Sequence, residues 1–344
     1  MLKIQKYDNL KWMDQMNLAF TNPIDLWTYL KLPISHKQPF DPPPSPFPFI
    51  VSRQFAEKIE KGNEQDPLLL QVLPQLKEKQ SNLEFLDDAV DDTSYTVAPG
   101  AIHKYRNRIL LLSNFSCAIH CRYCFRRMFP LNNIPHTRKH WEPTWKYIRC
   151  HEELTEIILS GGDPLYTSNE QIDFWIKTIA SFPHITTLRI HTRIPIALPS
   201  RIEAGLLSLL EFYVQSGNQM YIIIQVNHKN ELNDESIESI KKLQNIGLLI
   251  FNQSVLLKNI NDTITAQKEL SQKLIKHNII PYYLHQLDKV TGAAHFEVNE
   301  ECGKKLFKQM SNELPGYALP RYVKDIPGLG AKQCMLATGN IPSD

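Results

Sequence analysis

The stretch RILLLSNFSCAIHCRYCFRR, Arg108–Arg127, joins two kinds of signal. RILLLS is an apolar run of strand length, and after three intervening residues Cys117, Cys121 and Cys124 follow at spacing C-x3-C-x2-C. Half of the chain's 6 cysteines fall there. A short apolar run bounded by polar residues reads as a buried strand, and reactive groups placed just beyond a strand's carboxyl end are typical of parallel α/β sheets.

Working outward, the rhythm set by RILLLS repeats. Further β-rich runs occupy Thr155–Ser160, Thr186–His191, Met220–Val226, Leu248–Gln253 and Ile279–His285. Helical patterns lie between them near Asn169–Ser181, Pro199–Gln215, Asn233–Asn245 and Thr263–His277. Buried strands alternating with helices imply βαβ units, and a series of them implies an α/β fold of the partial (β/α) barrel kind. Residues 1–95 read as a helical and irregular N-terminal extension, and 96–344 as the barrel. The proline-dense PFDPPPSPFPF, Pro39–Phe49, excludes helix and central strand. Ser52 is placed to cap a helix carrying Phe55 and Ile59. The acidic stretch Asp87–Asp92 reads as a solvated link.

The 344 residues suffice for a sizeable core, and 42% apolar content marks a globular chain. A net charge of +2 gives no reason to expect nucleic acid or a membrane as the main partner. No apolar run has the length of a membrane span, and MLKIQKYDNLKW lacks a signal peptide's apolar centre, so a cytoplasmic protein is expected. In that compartment few cysteines mean a metal or reactive site, not a disulfide framework.

Three thiolates hold three corners of a [4Fe-4S] cluster and leave the fourth iron open to a small molecule. Ordinary ferredoxin-type clusters use four cysteines. The bland alternative is structural zinc, closed by His120, His103, His136 or Cys150, although no second two-ligand knuckle exists to pair with the first. Cys150, Cys302 and Cys334 have no partners at ligand spacing and read as free buried thiols. His191, His285 and Asn252–Gln253 sit in or at the ends of strands, where they can line a pocket.

C-x3-C-x-aromatic-C, with Tyr123 as the aromatic residue, resembles the radical S-adenosylmethionine superfamily. There the open iron is chelated by S-adenosyl-L-methionine, and a glycine-rich segment like Ser160, Gly161, Gly162 and Asp163 in SGGDP receives that molecule's amino group. The order of HKYRNRILLLSNFSCAIHCRYCFRR, SGGDPL, RIHTRIPIALPSRI, FNQSVLL, PYYLHQLDKVTGAAHF and Asp325…Lys332 resembles the lysine 2,3-aminomutase family over about residues 95–335. The stretch EKGNEQDPLLLQVLP, Glu60–Pro74, is closer to the short bacterial branch that serves β-lysylation of elongation factor P, as is an end twelve residues after Lys332.

The resemblance implies a second cofactor, pyridoxal 5′-phosphate, attached to Lys332. An amine attacks the cofactor's aldehyde only when neutral, so desolvation or nearby positive charge is expected around it. Gln333–Cys334 departs from the Thr-Pro usual there in the family. Lys104 and Arg108 match positions that hold the phosphate. Arg126 matches the arginine that grips the substrate carboxylate, and Asp288 and Asp325 match two aspartates that receive the ε-ammonium of L-lysine. The implied reaction, of the isomerase class, moves the α-amino group of lysine to Cβ. An electron donor such as flavodoxin or ferredoxin and a ligase acting on elongation factor P are the implied partners. Two rivals stand beside this reading: an aminomutase of the same fold acting on glutamate, and a zinc-stapled, non-catalytic RNA- or ribosome-associated protein.

Overall fold

The computed structural model describes residues 10–33, 47–130, 135 and 137–336. Most of the proline-dense stretch, and His136, lie outside the described residues. Ten strands form one sheet in sequential order: β1 Thr96–Ala98, β2 Ala101–Tyr105, β3 Arg108–Asn114, β4 Glu156–Gly161, β5 Thr187–Thr192, β6 Gln219–Gln225, β7 Leu249–Val255, β8 Ile279–His285, β9 Arg321–Lys324 and β10 Gln333–Cys334. Pairing is parallel from β3 through β9 and antiparallel at both ends, β1/β2/β3 and β9/β10.

The helices are α1 Trp12–Met16, α2 Pro23–Tyr29, α3 Arg53–Ala56, α4 Pro67–Val72, α5 Glu142–Arg149, α6 Asn169–Ala180, α7 Ile194–Ala197, α8 Ala204–Gln215, α9 Asp234–Asn245, α10 Ile264–Lys276 and α11 Glu300–Glu313. Side-chain caps start the crossover helices: Ser168 accepts from Gln171 N, Asn233 from Ser236 N and Thr263 from Ala266 N. None of the described helices is long and apolar enough to cross a membrane.

Period-2 alternation sorts the parallel strands into two faces. Ile109, Leu111, Ile157, Leu159, Leu188, Ile190, Ile222, Ile224 and Ile250 join the large core shared with the helices. The intervening positions carry Leu112, Ile158 and Ile223 together with Ser160, Arg189, His191, Tyr221, Phe251, Gln253, Tyr283 and His285, an inner face that mixes apolar, polar and aromatic side chains.

Three features differ from the sequence expectation. RILLLS is the third strand, preceded by a hairpin whose register is irregular. Asp92, expected in a solvated link, is only 2% exposed. Ser52 does cap a helix, accepting from Phe55 N, but that helix ends at Ala56 and Ile59 packs from the turn that follows.

Candidate functional site

The carboxyl end of β3 delivers the chain into the cysteine loop, and burial changes the chemistry of its thiols. Burial first, then the neighbouring Asp163 and the other two cysteines, pushes the Cys117 thiol well above its ordinary range. Burial and Cys121 push Cys124 up to about 11. Metal coordination reverses this cost by deprotonating the thiol outright. The three side chains affect one another, yet among the described residues no group of three or more His, Cys, Asp or Glu converges as needed for a single ion.

Of the histidines offered as a fourth zinc ligand, His120 has its Nδ1 on the Pro48 carbonyl at 2.9 Å and His103 its Nδ1 on Tyr147 Oη at 2.8 Å. Cys150, Cys302 and Cys334 are exposed, not buried as expected. Each lies at or near the solvent end of an element, where nothing covers it.

The turn after β4 packs directly on this loop. Gly162 N donates to the Asn114 carbonyl at 2.5 Å and Asp163 N to the Ser116 carbonyl at 2.9 Å. A Cβ at Gly162 would stand 2.6 Å from the backbone of Phe115 and Ser116, and Gly161 adopts φ +109°, so both positions require glycine. Burial pushes the Asp163 carboxyl up to about 6 against its hydrogen bonds. Those come from Thr192 Oγ1 at 2.6 Å, Arg193 N at 2.6 Å and Leu165 N at 3.0 Å. Asp163, expected to face S-adenosyl-L-methionine, thus uses both oxygens to tie the ends of β4 and β5 together. The two glycines let this turn pack backbone to backbone against the loop that carries the three thiols.

A third charged network reaches the loop from α4. Arg193 Nη1 donates to Cys121 Sγ at 2.7 Å and Tyr123 Oη at 2.9 Å, while its Nη2 donates to Glu231 Oε2 at 2.6 Å and Gln71 Oε1 at 3.1 Å. Nearby, Glu78 accepts from Arg122 (2.9 and 2.5 Å) and from Arg127 (2.6 Å). Sequence reading assigned no role to Arg193, Glu231, Glu78 or Asp92. Arg193 stands inside RIHTRIP and Gln71 inside EKGNEQDPLLLQVLP, so the segments were visible although their contacts were not.

Lys332, just before β10, lies beside Asp325, Tyr105 and Asp288, across the sheet's open edge from β2. Its Nζ pairs with Asp325 Oδ2 at 2.5 Å. Burial pushes its pKa down, but Asp325, Tyr105 and Asp288 push it further up, so the amine is held charged. The expected desolvation is present, but the neighbours are carboxylates and a phenol and not cations, so attachment to an aldehyde would first require a proton to leave Nζ.

Burial pushes Asp288 up to about 7, opposed by Lys332 and reinforced by Asp325 and Asp92. Arg126 donates from Nε to Asp92 Oδ2 at 2.8 Å and from Nη1 to Ser160 Oγ at 3.4 Å. Lys104 pairs with Asp92 Oδ1 at 2.7 Å and with the Val90 carbonyl. Among the described residues no carboxylate pairs with Arg108, whose guanidinium lies over the Tyr105 ring, so of the two expected phosphate contacts it is the one left uncommitted. Burial and then Arg189, Arg126 and Lys332 hold His191 neutral, and its Nε2 is buried without a hydrogen-bond partner. An orphaned polar atom among cations fits a polar ring compound attached at Lys332.

The Radical SAM superfamily model matches residues 113–265, the span from the end of β3 into α10. An L-lysine 2,3-aminomutase of Buchnera aphidicola is 39% identical over 331 residues, covering 96% of each chain. The protein of that name from Escherichia coli is 36% identical and covers 93% of each chain, and that of Clostridium subterminale is 32% identical over 82% of this chain and 67% of its own. A radical S-adenosylmethionine domain brings a [4Fe-4S] cluster and S-adenosyl-L-methionine, and the relatives are enzymes of the isomerase type. The chain belongs to the L-lysine 2,3-aminomutase family of radical S-adenosylmethionine enzymes.

Proposed function

We propose that the protein converts L-lysine to β-lysine, with Cys117, Cys121 and Cys124 holding the cluster and Lys332 holding pyridoxal 5′-phosphate. When bound, the cluster with S-adenosyl-L-methionine supplies a carbon radical able to abstract hydrogen, and pyridoxal phosphate supplies an electron sink for the migrating nitrogen. The chain's own share is positioning and charge matching. Arg126, oriented by Asp92, presents its remaining N–H groups to the substrate carboxylate. Asp288 and Asp325 receive the ε-ammonium, a group that leaves water only against close negative charge. Arg108, with Lys104 nearby, meets the phosphate, and the backbone at Ser160, Gly161 and Gly162 meets S-adenosyl-L-methionine.

The observation that carries this reading is the second carboxylate. Asp288 has no ion-pair partner among the described residues, and Lys332 attachment would release Asp325 from its present one. Two free carboxylates suit a cationic side chain, whereas a glutamate side chain would be repelled. Anaerobic incubation with S-adenosyl-L-methionine, pyridoxal phosphate, dithionite and L-lysine should yield β-lysine on a chiral column, with the R enantiomer expected. Turnover of glutamate and not lysine would replace the substrate assignment.

The product is assigned to β-lysylation of elongation factor P by a ligase, with flavodoxin or ferredoxin as electron donor. Near-complete alignment with the Buchnera and E. coli proteins, against 67% of the clostridial one, supports the short branch. Intact-mass analysis of the factor from a deletion strain tests it: a loss of one lysyl unit is expected, and an unchanged mass in a host that normally carries the modification would redirect the product.

A further inference from the structure

Arg193 closes β5 and opens α7, and it touches both motif loops at once. Its backbone N–H holds Asp163 Oδ2 at 2.6 Å, beside the glycine turn. Its guanidinium reaches the cysteine loop, where Nη1 lies 2.7 Å from Cys121 Sγ. The guanidinium is itself pinned: Glu231, fully buried, takes Nη2 at 2.6 Å, and Gln71 and Tyr123 complete the ring at 3.1 and 2.9 Å. Neither Cys117 nor Cys124 accepts a comparable side-chain donor among the described residues.

We infer that Arg193 is a positioning residue for the cluster, donating a charged hydrogen bond to the Cys121 thiolate and thereby raising the cluster's reduction potential and fixing the ligand's orientation. The inference rests on the reading of Cys121 as a cluster ligand. Hydrogen bonds to ligand sulfurs and nearby positive charge stabilise the reduced, more negative cluster, and groups outside the ligands set potential in iron–sulfur proteins generally. A cation is costly to bury alone, and Glu231 supplies the compensation that keeps it there. Glu231 therefore offsets part of the same field. The two residues should act on the potential with opposite sign, which a purely structural role for the network does not require.

The test is an EPR-monitored reductive titration of the anaerobically purified holoenzyme, alongside its iron content. Arg193→Gln should keep the iron and shift the potential to more negative values. Arg193→Lys, which retains the charge but loses the fork, should fall between it and the wild type. Glu231→Gln should shift the potential to more positive values. An unchanged potential in iron-replete Arg193→Gln, or shifts of the same sign in Arg193→Gln and Glu231→Gln, would overturn the inference. Should Arg193→Gln fail to fold, the ordering of Arg193→Lys below wild type and Glu231→Gln above it decides, and the absence of that ordering overturns it equally. The underlying ligand assignment fails separately, by a Cys121→Ala protein that keeps a complete cluster.

Discussion

Asp288 sits in a recess where its carboxyl is pushed up to about 7, principally by burial. A free ε-ammonium, with a pKa of about 10.4, stays charged through neutral pH, so the carboxyl decides when the two attract. The ionised form binds the cation, and cation binding in turn favours ionisation. Lysine affinity should therefore strengthen as pH rises through about 7 and level off above it, falling by up to about tenfold per unit on the acid side. Asp288→Asn should bind lysine weakly with a flat profile. Calorimetric titration or KM against pH measures this, and a flat wild-type profile would remove Asp288 from the clamp.

Asp92 makes a parallel case. Desolvation alone would raise its pKa, but Arg126 and Lys104 outweigh burial and hold the carboxyl below its usual range. Asp92→Asn leaves two half-buried cations short of a counter-charge, and the cost is at or below the about 3–5 kcal/mol typical of a fully buried pair that loses one partner. We expect a lower melting temperature and a KM for lysine raised about tenfold, because Arg126 loses the contact that aims it. An unchanged KM would leave Asp92 with a stabilising role alone. Nothing local in VDDTSY marks this aspartate as buried, because its partners come from β2 and from the cysteine loop. The cysteines and the glycine turn were legible because their spacing is local; the contacts made by Arg193 and Asp92 were not, because they depend on which strand ends meet.

At the level of elements, the six apolar runs from Arg108 to His285 each became a parallel strand, and helices formed between them where the helical patterns lay, although the one expected from Pro199 begins at Ala204. Period 2, apolar length and an N-cap oxygen are local properties, so they survive into the fold. The hairpin β1–β2, the last strands β9 and β10 and the helices α5 and α11 carry no such continuous apolar run and were not anticipated. The turn after β4 gives a sharp test, since its Gly162 has backbone atoms, not a movable side chain, where a Cβ would go. Gly162→Ala should separate β4 from the cysteine loop, lower the melting temperature at an overpacking cost of about 1–3 kcal/mol and reduce the iron retained on purification. Gly316→Ala, where nothing lies within 4 Å of the added carbon, serves as the neutral control. Equal iron and equal melting in the two variants would mean that the close approach is not needed for cluster assembly.

Over the whole molecule, the residues before β1 and the sheet share one continuous core. Phe20, Leu26, Leu30, Phe55, Leu68 and Val72 join Ile109, Ile157, Ile190 and Ile222 in the same cluster of buried side chains. The polar contacts run the same way: Lys58 Nζ donates to the Ile196 and Glu231 carbonyls at 2.6 and 3.0 Å and to Ser236 Oγ at 2.6 Å. Ile50 and Gln71 carbonyls accept from His120 N and Arg122 N inside the cysteine loop, at 2.9 and 2.8 Å. Division of the chain near residue 95 follows the change of sequence rhythm, but rhythm is a property of each segment alone and carries no information about what packs on what. Removing residues 1–95 would strip Glu78 from the buried arginines Arg122 and Arg127 and expose the apolar side chains that α2, α3 and α4 cover. Two uncompensated buried cations and a bare apolar face exceed the margin of about 5–15 kcal/mol by which a domain is stable. The fragment 96–344 should therefore aggregate or purify without iron, while the full chain unfolds in a single transition seen alike by circular dichroism and by loss of cluster absorbance. A soluble, iron-loaded fragment with its own cooperative melt would show instead that the barrel folds alone and that the earlier residues only cover it.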